Sequence, residues 1–198
     1  VQRLRSGNID AAALLDTMEK TAEQAERAGK IIQRARAMAQ RRDPEMKSLD
    51  INEIIAGLRD MIELSAQKLA VQLVLELTPS LPPVRADRVM LEQLIINLAR
   101  NAIQAMQNAP TQRTLKILTI YNASTRKVEM QVIDNGCGIP DDIEKNLFQA
   151  FFTTKADGLE LGLNLSHSIA ELHKGRLWAK RNSDGGSTFY FALPAENP

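Results

Sequence analysis

The stretch Leu91–Ala105, LEQLIINLARNAIQA, constrains the fold of this chain more than any other. Its apolar residues Leu91, Leu94, Ile95, Leu98, Ala102 and Ala105 recur three and four apart, the spacing of one buried face on a helix. A core helix has no use for Asn97 and Asn101, which stand one turn apart and so on one side. Asparagine is a mediocre helix former because its amide competes with the backbone, so a pair beside the buried stripe is expected to do polar work. An amide oxygen is a hard, neutral ligand for Mg²⁺, a metal usually held by one or two protein groups plus the phosphates of a substrate. Two amides tying a loop to the helix fit the spacing equally well.

The 198 residues suffice for one ordinary domain plus an extension, or for two small domains. A hydrophobic share of 44%, 25% charged residues and a net charge of +1 describe a soluble folded chain and argue against bulk nucleic-acid binding. No apolar run approaches the ~20 residues of a membrane span, and no charged-then-apolar start resembles a signal peptide. The expected location is therefore cytoplasmic, with no membrane contact by these residues; an inner-membrane anchor elsewhere in a parent protein is compatible with that. A start at Val1, without Met, suggests a piece of something longer. The single cysteine, Cys137, excludes an internal disulfide and any zinc cluster built on paired thiols.

From Ile9 to about Arg42 no proline interrupts a long amphipathic pattern that includes Ile9, Ala12, Ala13, Ala25, Ile31, Ile32 and Met38. A helix of this length with small seam residues cannot bury its stripe alone. With Val1–Arg5 as the tail of a preceding helix and Ser6-Gly7-Asn8 as turn chemistry, an antiparallel helical hairpin truncated in its first arm is expected. Two such hairpins would complete a four-helix bundle, so a homodimer of the parent is expected. Asp43-Pro44 ends the arm and Glu45–Asp50 reads as a polar linker, dividing the chain into 1–45 and 46–198.

Asp50 then caps a helix reaching about Ala66, with Glu53 three residues on in the pattern of a capping box. Val71–Leu77 alternates as VQLVLEL and reads as a strand, closed by the loop of Pro79, Pro82 and Pro83. Asp87 or Arg88 opens the asparagine helix, which runs to about Met106. A strand pair at Leu115–Tyr121 and Val128–Ile133, a helix from about Gly162 to His173, and strands at Arg176–Arg181 and Thr188–Leu193 follow. This order predicts an α+β fold. It is a two-layer sandwich of a mixed, mainly antiparallel sheet with helices on one face, preceded by the long helical hairpin arm.

The connection from about Asp134 to Gly162 exceeds the ~15 residues usual in a compact domain, and such loops are commonly functional. It opens with Ile133-Asp134-Asn135-Gly136-Cys137-Gly138-Ile139-Pro140. Asp-Asn-Gly alone suits an ordinary turn. Gly136 and Gly138 bracketing one residue also let the backbone approach a flat ligand, and Asp134 would hold a carboxylate at the edge of the core. A carboxylate there can accept from an exocyclic amine such as that of adenine. Cys137 reads as a small packing residue.

In this order NLARNAIQA, DNGCGIP, LFQAFFTTK, GLELGL and GGSTFYFALP resemble the asparagine, first glycine, phenylalanine, second glycine and third glycine boxes of the sensor histidine kinase catalytic domain. That domain belongs to the ATPase family shared with gyrase, the Hsp90 chaperones and MutL. The resemblance runs from about Leu49 to Pro194. The preceding AERAGKIIQRARAMAQRRDP and SLDINEII resemble the second dimerisation helix and linker of oxygen-sensing and nitrogen-regulating sensors.

The resemblance implies ATP and Mg²⁺ as cofactors. Asp134 would bind the adenine amine, with Gly136, Gly138 and Ile139 in its loop and Thr188, through water, completing the adenine edge. Asn101 would be the metal ligand, with Asn97 contacting phosphate or its hydration shell. Lys155 and the loop from Gly158 to Gly162 would form a lid over the triphosphate, anchored by Phe148, Phe151 and Phe152. Backbone N–H groups at Gly162 and Leu163 would meet phosphate oxygens at a helix start. Implied partners are an upstream sensor domain, a second copy and a response regulator receiver domain, and the implied reaction is γ-phosphoryl transfer to a histidine upstream of this segment. Catalysis would rest on Asn97, Asn101 and Lys155.

The hydrolases of the family carry glutamate where this chain has Asn97, and an amide cannot act as a general base. Two departures keep other readings open. Glu160 stands where the second glycine box has its middle glycine, and a carboxylate beside a triphosphate weakens binding by like-charge repulsion. The phosphoacceptor histidine is also absent: His167 and His173 both lie in the helix after the lid, as a surface residue and a helix-end residue. A degenerate module acting by dimerisation and partner binding, or an ATP hydrolase of the same fold, are the alternatives.

Overall fold

In the computed structural model the chain divides into two compact units, Val1–Asp43 and Pro44–Pro198. The structure describes Met18 and Thr21 of the first unit, and residues 44–108, 112–139 and 161–196 of the second. The expected helical arm therefore lies outside the described residues.

Helix α1 (Ile51–Gln67) begins where Asp50 caps it, accepting the N–H of Asn52 at 2.8 Å. Its buried residues Ile51, Ile54, Ile55, Leu58, Ile62 and Ala66 form one stripe. Helix α2 (Arg88–Ala105) is the asparagine helix, capped by Asp87, whose carboxylate accepts the N–H of Met90 at 3.1 Å. Its apolar face is extended by Ala99 and Ile103, and it packs against both α1 and α3 (Leu161–Leu172).

Five strands, β2 (Val71–Leu77), β4 (Arg113–Asn122), β5 (Lys127–Asp134), β6 (Arg176–Arg181) and β7 (Ser187–Pro194), form a sheet of order β2-β4-β5-β7-β6. The pair β2–β4 is parallel and the others antiparallel, as in the expected mixed, mainly antiparallel layer. Leu115, Ile117 and Thr119 of β4 and Val128, Met130 and Val132 of β5 are buried, and the residues between them are half-buried, so one face carries the helices. On the other face Trp178 and Tyr190 stack with ring centroids 5.1 Å apart, flanked by Arg176 and Lys180.

The stretch expected as a polar linker contains a strand. β1 (Lys47–Leu49) pairs antiparallel with β3 (Val84–Ala86) in register Lys47↔Ala86. The N–H of Glu45 also donates to Asp87 Oδ2 at 2.8 Å. Strands of three residues are too short to show a period, and their partners lie far away in the chain. Among the described residues no helix is long and apolar enough to cross a membrane.

Candidate functional site

Alternation along β5 carries the buried face one residue past Val132 to Asp134, a carboxylate only 2% exposed at the end of the strand. Both oxygens are held: Oδ1 accepts the N–H of Gly136 at 2.8 Å, and Oδ2 accepts the hydroxyl of Ser187 at 2.7 Å. Burial pushes the Asp134 pKa above the ordinary carboxylate value, while the Ser187 hydroxyl and the backbone N–H groups of Gly136 and Ser187 oppose that shift.

The backbone around this carboxylate is fixed from three sides. Asn135 donates to the carbonyl of Gln112 at 2.7 Å and accepts from the N–H of Thr114 at 2.9 Å. Asn182 Nδ2 donates to the carbonyl of Asp134 at 3.3 Å. The N–H of Cys137 donates to the carbonyl of Ala105 at 3.1 Å, which seats the turn on the end of α2. Gly136 lies so near that helix end that a Cβ would stand 2.5 Å from the Ala105 oxygen. Gly186, at φ 80°, leaves no room either, because a Cβ there would run into the carbonyl oxygen of Asp134.

Thr188, expected at the adenine edge, does not hydrogen-bond this carboxylate itself. Thr188 pairs with Ile133, so its side chain stands on the other face of the sheet, where its hydroxyl donates to Asn182 Oδ1 at 2.7 Å. Ser187, in phase with Phe189, Phe191 and Leu193, is the hydroxyl on the Asp134 side.

At about 1.5 Å per residue, α2 places Asn97 about 12 Å from Ala105 along its axis, with Asn101 between them. Among the described residues the Asn101 amide nitrogen is buried without a hydrogen-bond partner, an arrangement that proteins rarely leave uncompensated. A half-turn of that amide exchanges nitrogen for oxygen at the same point. Asn97 accepts from Gln93 Nε2 at 3.2 Å and donates to the carbonyl of Gly162 at 3.4 Å, at the start of α3. That carbonyl also accepts the Ser166 hydroxyl at 2.9 Å. Gln93, one turn before Asn97, is a contact that the sequence reading missed.

The remaining expected residues separate into two groups. Gly138 adopts φ 73° and lies against the carbonyl of Gly186. The side chains of Ile139 and Leu163 are 7% and 3% exposed and belong to the core, which leaves their backbones for any ligand. Lys155, Gly158, Glu160, Phe148, Phe151 and Phe152 lie outside the described residues.

His173 is more than a helix-end residue. It is 4% exposed; its Nε2 accepts the N–H of Asp87 at 3.0 Å, and its Nδ1 faces the carbonyl of Ile169 at 2.7 Å. A backbone N–H only donates and a carbonyl only accepts, so these partners assign the neutral tautomer protonated on Nδ1. His167 is a half-exposed residue 3.7 Å from Glu171, one turn away.

One helix therefore lines up a buried carboxylate acceptor at its C-terminal end with an amide unpartnered among the described residues and then an amide tied to the start of α3. Carboxylate and amides at opposite ends suit an elongated ligand with an amine at one end and an anion at the other. Among the described residues no group of three or more His, Cys, Asp or Glu is placed to hold a metal ion.

Residues 86–197 match the family described as histidine kinase-, DNA gyrase B- and HSP90-like ATPases. The sensor protein FixL of Bradyrhizobium diazoefficiens is 40% identical over 98% of this chain, which spans 38% of that protein. A solved catalytic domain of the histidine kinase ThkA is 31% identical with a TM-score of 0.66, covering 76% of this chain and 96% of that one. ThkA solved in complex with the response regulator TrrA is 25% identical with a TM-score of 0.75, covering 98% of this chain and 55% of that one.

Proposed function

This chain belongs to the histidine kinase-, DNA gyrase B- and HSP90-like ATPases, among the histidine kinase catalytic domains, and we propose that it binds Mg-ATP and presents the γ-phosphate to a histidine outside its 198 residues. The observation that carries the reading is Asp134. A carboxylate kept 2% exposed and oriented by Gly136 and Ser187 provides a preorganised acceptor for the exocyclic amine of adenine.

From that end the phosphates would run along α2 toward Asn97 and the first turn of α3, where the N–H groups of a helix start and the helix dipole favour anions. Asn101 would hold Mg²⁺, which when bound neutralises phosphate charge, and Lys155 would add a cation from the lid. Asn97 cannot take a proton from water, so the site would position ATP while leaving water unactivated, as transfer to a protein acceptor requires. The receiving histidine would pass the phosphoryl group to a response regulator, in line with the ThkA–TrrA complex. Residues 1–45 would supply the second helix of a dimerisation hairpin, and an upstream sensor domain would control it.

The test is calorimetric titration with ATP and ADP, with and without Mg²⁺, on this chain and on Asp134→Ala. The expected result is binding that gains from Mg²⁺ and weakens by about 10-fold or more in the variant, as loss of a charge-assisted hydrogen bond predicts. Absence of binding at millimolar nucleotide would overturn the reading in favour of a degenerate module, with Glu160→Gly the reversion to try. Phosphate release without a protein acceptor would point instead to a hydrolase.

A further inference from the structure

We propose that Gln93 is a positioning residue for the phosphate end of this site, acting through Asn97 on the first turn of α3. The inference rests on the nucleotide reading above, because it concerns the end of the site where phosphates would lie. Gln93 is exposed and stands one helical turn before Asn97. Its amide N–H donates to Asn97 Oδ1 at 3.2 Å, and Asn97 Nδ2 donates in turn to the carbonyl of Gly162 at 3.4 Å. The contact at Gly162 is also steric: a Cβ on that residue would lie 3.7 Å from Asn97 Cγ, so the glycine rests on the face of the amide.

An asparagine amide can point either way, and its two ends look alike to packing but opposite to hydrogen bonding. The Gly162 carbonyl only accepts and so takes the Asn97 nitrogen, and Gln93 holds that orientation from the oxygen side. While it donates to the oxygen, the nitrogen must face Gly162 and bind its carbonyl. Without Gln93 the oxygen loses its donor and the amide is held by the Gly162 carbonyl alone, so its position is less firmly set. The Gly162 carbonyl belongs to the first turn of α3, so holding it also sets the direction of the N–H groups there. A carboxylate at residue 97 has no donor for this carbonyl, which gives a structural reason for an amide here that is separate from the question of hydrolysis.

The experiment compares Gln93→Ala and Gln93→Glu with the unaltered chain. The dissociation constants of Mg-ATP and of adenosine are measured by calorimetry, together with amide hydrogen exchange over 162–166 and thermal unfolding as a folding control. Adenosine reads the Asp134 end alone. Mg-ATP affinity is expected to fall about 3- to 10-fold in Gln93→Ala while adenosine affinity stays unchanged. Gln93→Glu should fall further, since its carboxylate opposes Asn97 Oδ1 and turns the amide over. Exchange over 162–166 should quicken in both variants. A folded variant that keeps the ratio of the two affinities, or loses both in parallel, overturns the proposal while leaving the nucleotide reading intact. If the unaltered chain binds neither ligand, the nucleotide reading fails and this inference falls with it.

Discussion

Ser187 on β7 and Asp134 on β5 stand directly across from each other on the helix-covered face of the sheet, the hydroxyl donating to Oδ2 at 2.7 Å. The hydroxyl favours the ionised carboxylate while burial disfavours it, and burial prevails. One contact between neighbouring strands thus bears on both stability and ligand recognition.

The raised pKa of Asp134 fixes the sign of a pH effect. Between the ordinary value of 3.8 and the raised folded value, the native state binds more protons than the unfolded state, so this group lowers stability as pH rises. Its contribution is fully present below 3.8 and is lost as pH climbs through the folded pKa. We predict that Asp134→Asn gains in unfolding free energy relative to the unaltered chain as pH rises from about 3.5 to 7. Paired urea denaturations at both ends of that range measure it, and a constant difference would refute it. Adenosine affinity should move the opposite way, rising as the carboxylate ionises.

Ser187 and Thr188 are adjacent hydroxyl residues on opposite faces, and substitution should separate them. Removing the hydroxyl in Ser187→Ala takes away a bond to the charged form of Asp134, so adenosine affinity is expected to drop by about 3- to 10-fold and its pH profile to move to higher pH. Thr188→Val breaks only the bond to Asn182 Oδ1 and should leave the profile in place. A shifted profile in the valine variant would contradict this division.

Asn101 is predicted to exchange stability for binding. Its buried amide nitrogen has no partner among the described residues, so Asn101→Ala removes an uncompensated polar group and is expected to hold or raise the melting temperature. The same variant should lose the gain in ATP affinity on adding Mg²⁺. A clear drop in stability, with the Mg²⁺ effect preserved, would rule out this role.

His173 ties the end of α3 to the start of α2. His173→Ala strands the N–H of Asp87 and opens space at a buried position, so a loss of about 2–4 kcal/mol in unfolding free energy is expected. Denaturant titration provides the measurement; a loss below about 1 kcal/mol would show that water replaces the imidazole.

Gly185 and Gly186 both have positive φ, at 93° and 80°, yet alanine should affect them unequally. A Cβ on Gly185 meets nothing within 4 Å, so Gly185→Ala is expected to cost only backbone strain, about 1–2 kcal/mol. Gly186→Ala also drives a methyl into the Asp134 carbonyl and should destabilise more while abolishing adenosine binding. Equal melting temperatures for the two variants would count against the close approach described at Gly186.

What the sequence determined by itself was whatever repeats locally. Three- and four-residue spacing marked the buried face of α2 and set Asn97 and Asn101 together on one side, and two-residue alternation marked β2, β4 and β5. Carried to its end, the alternation of β5 also put Asp134 at the edge of the core. Tertiary structure decided the rest, because a contact between distant residues leaves no period in the chain. Strands β1 and β3 exist only through each other, and His173 meets Asp87 across 86 positions. The choice of Ser187 over Thr188 turns on a register of one residue, since a strand sends successive side chains to opposite faces and only its pairing with β5 says which face Asp134 occupies.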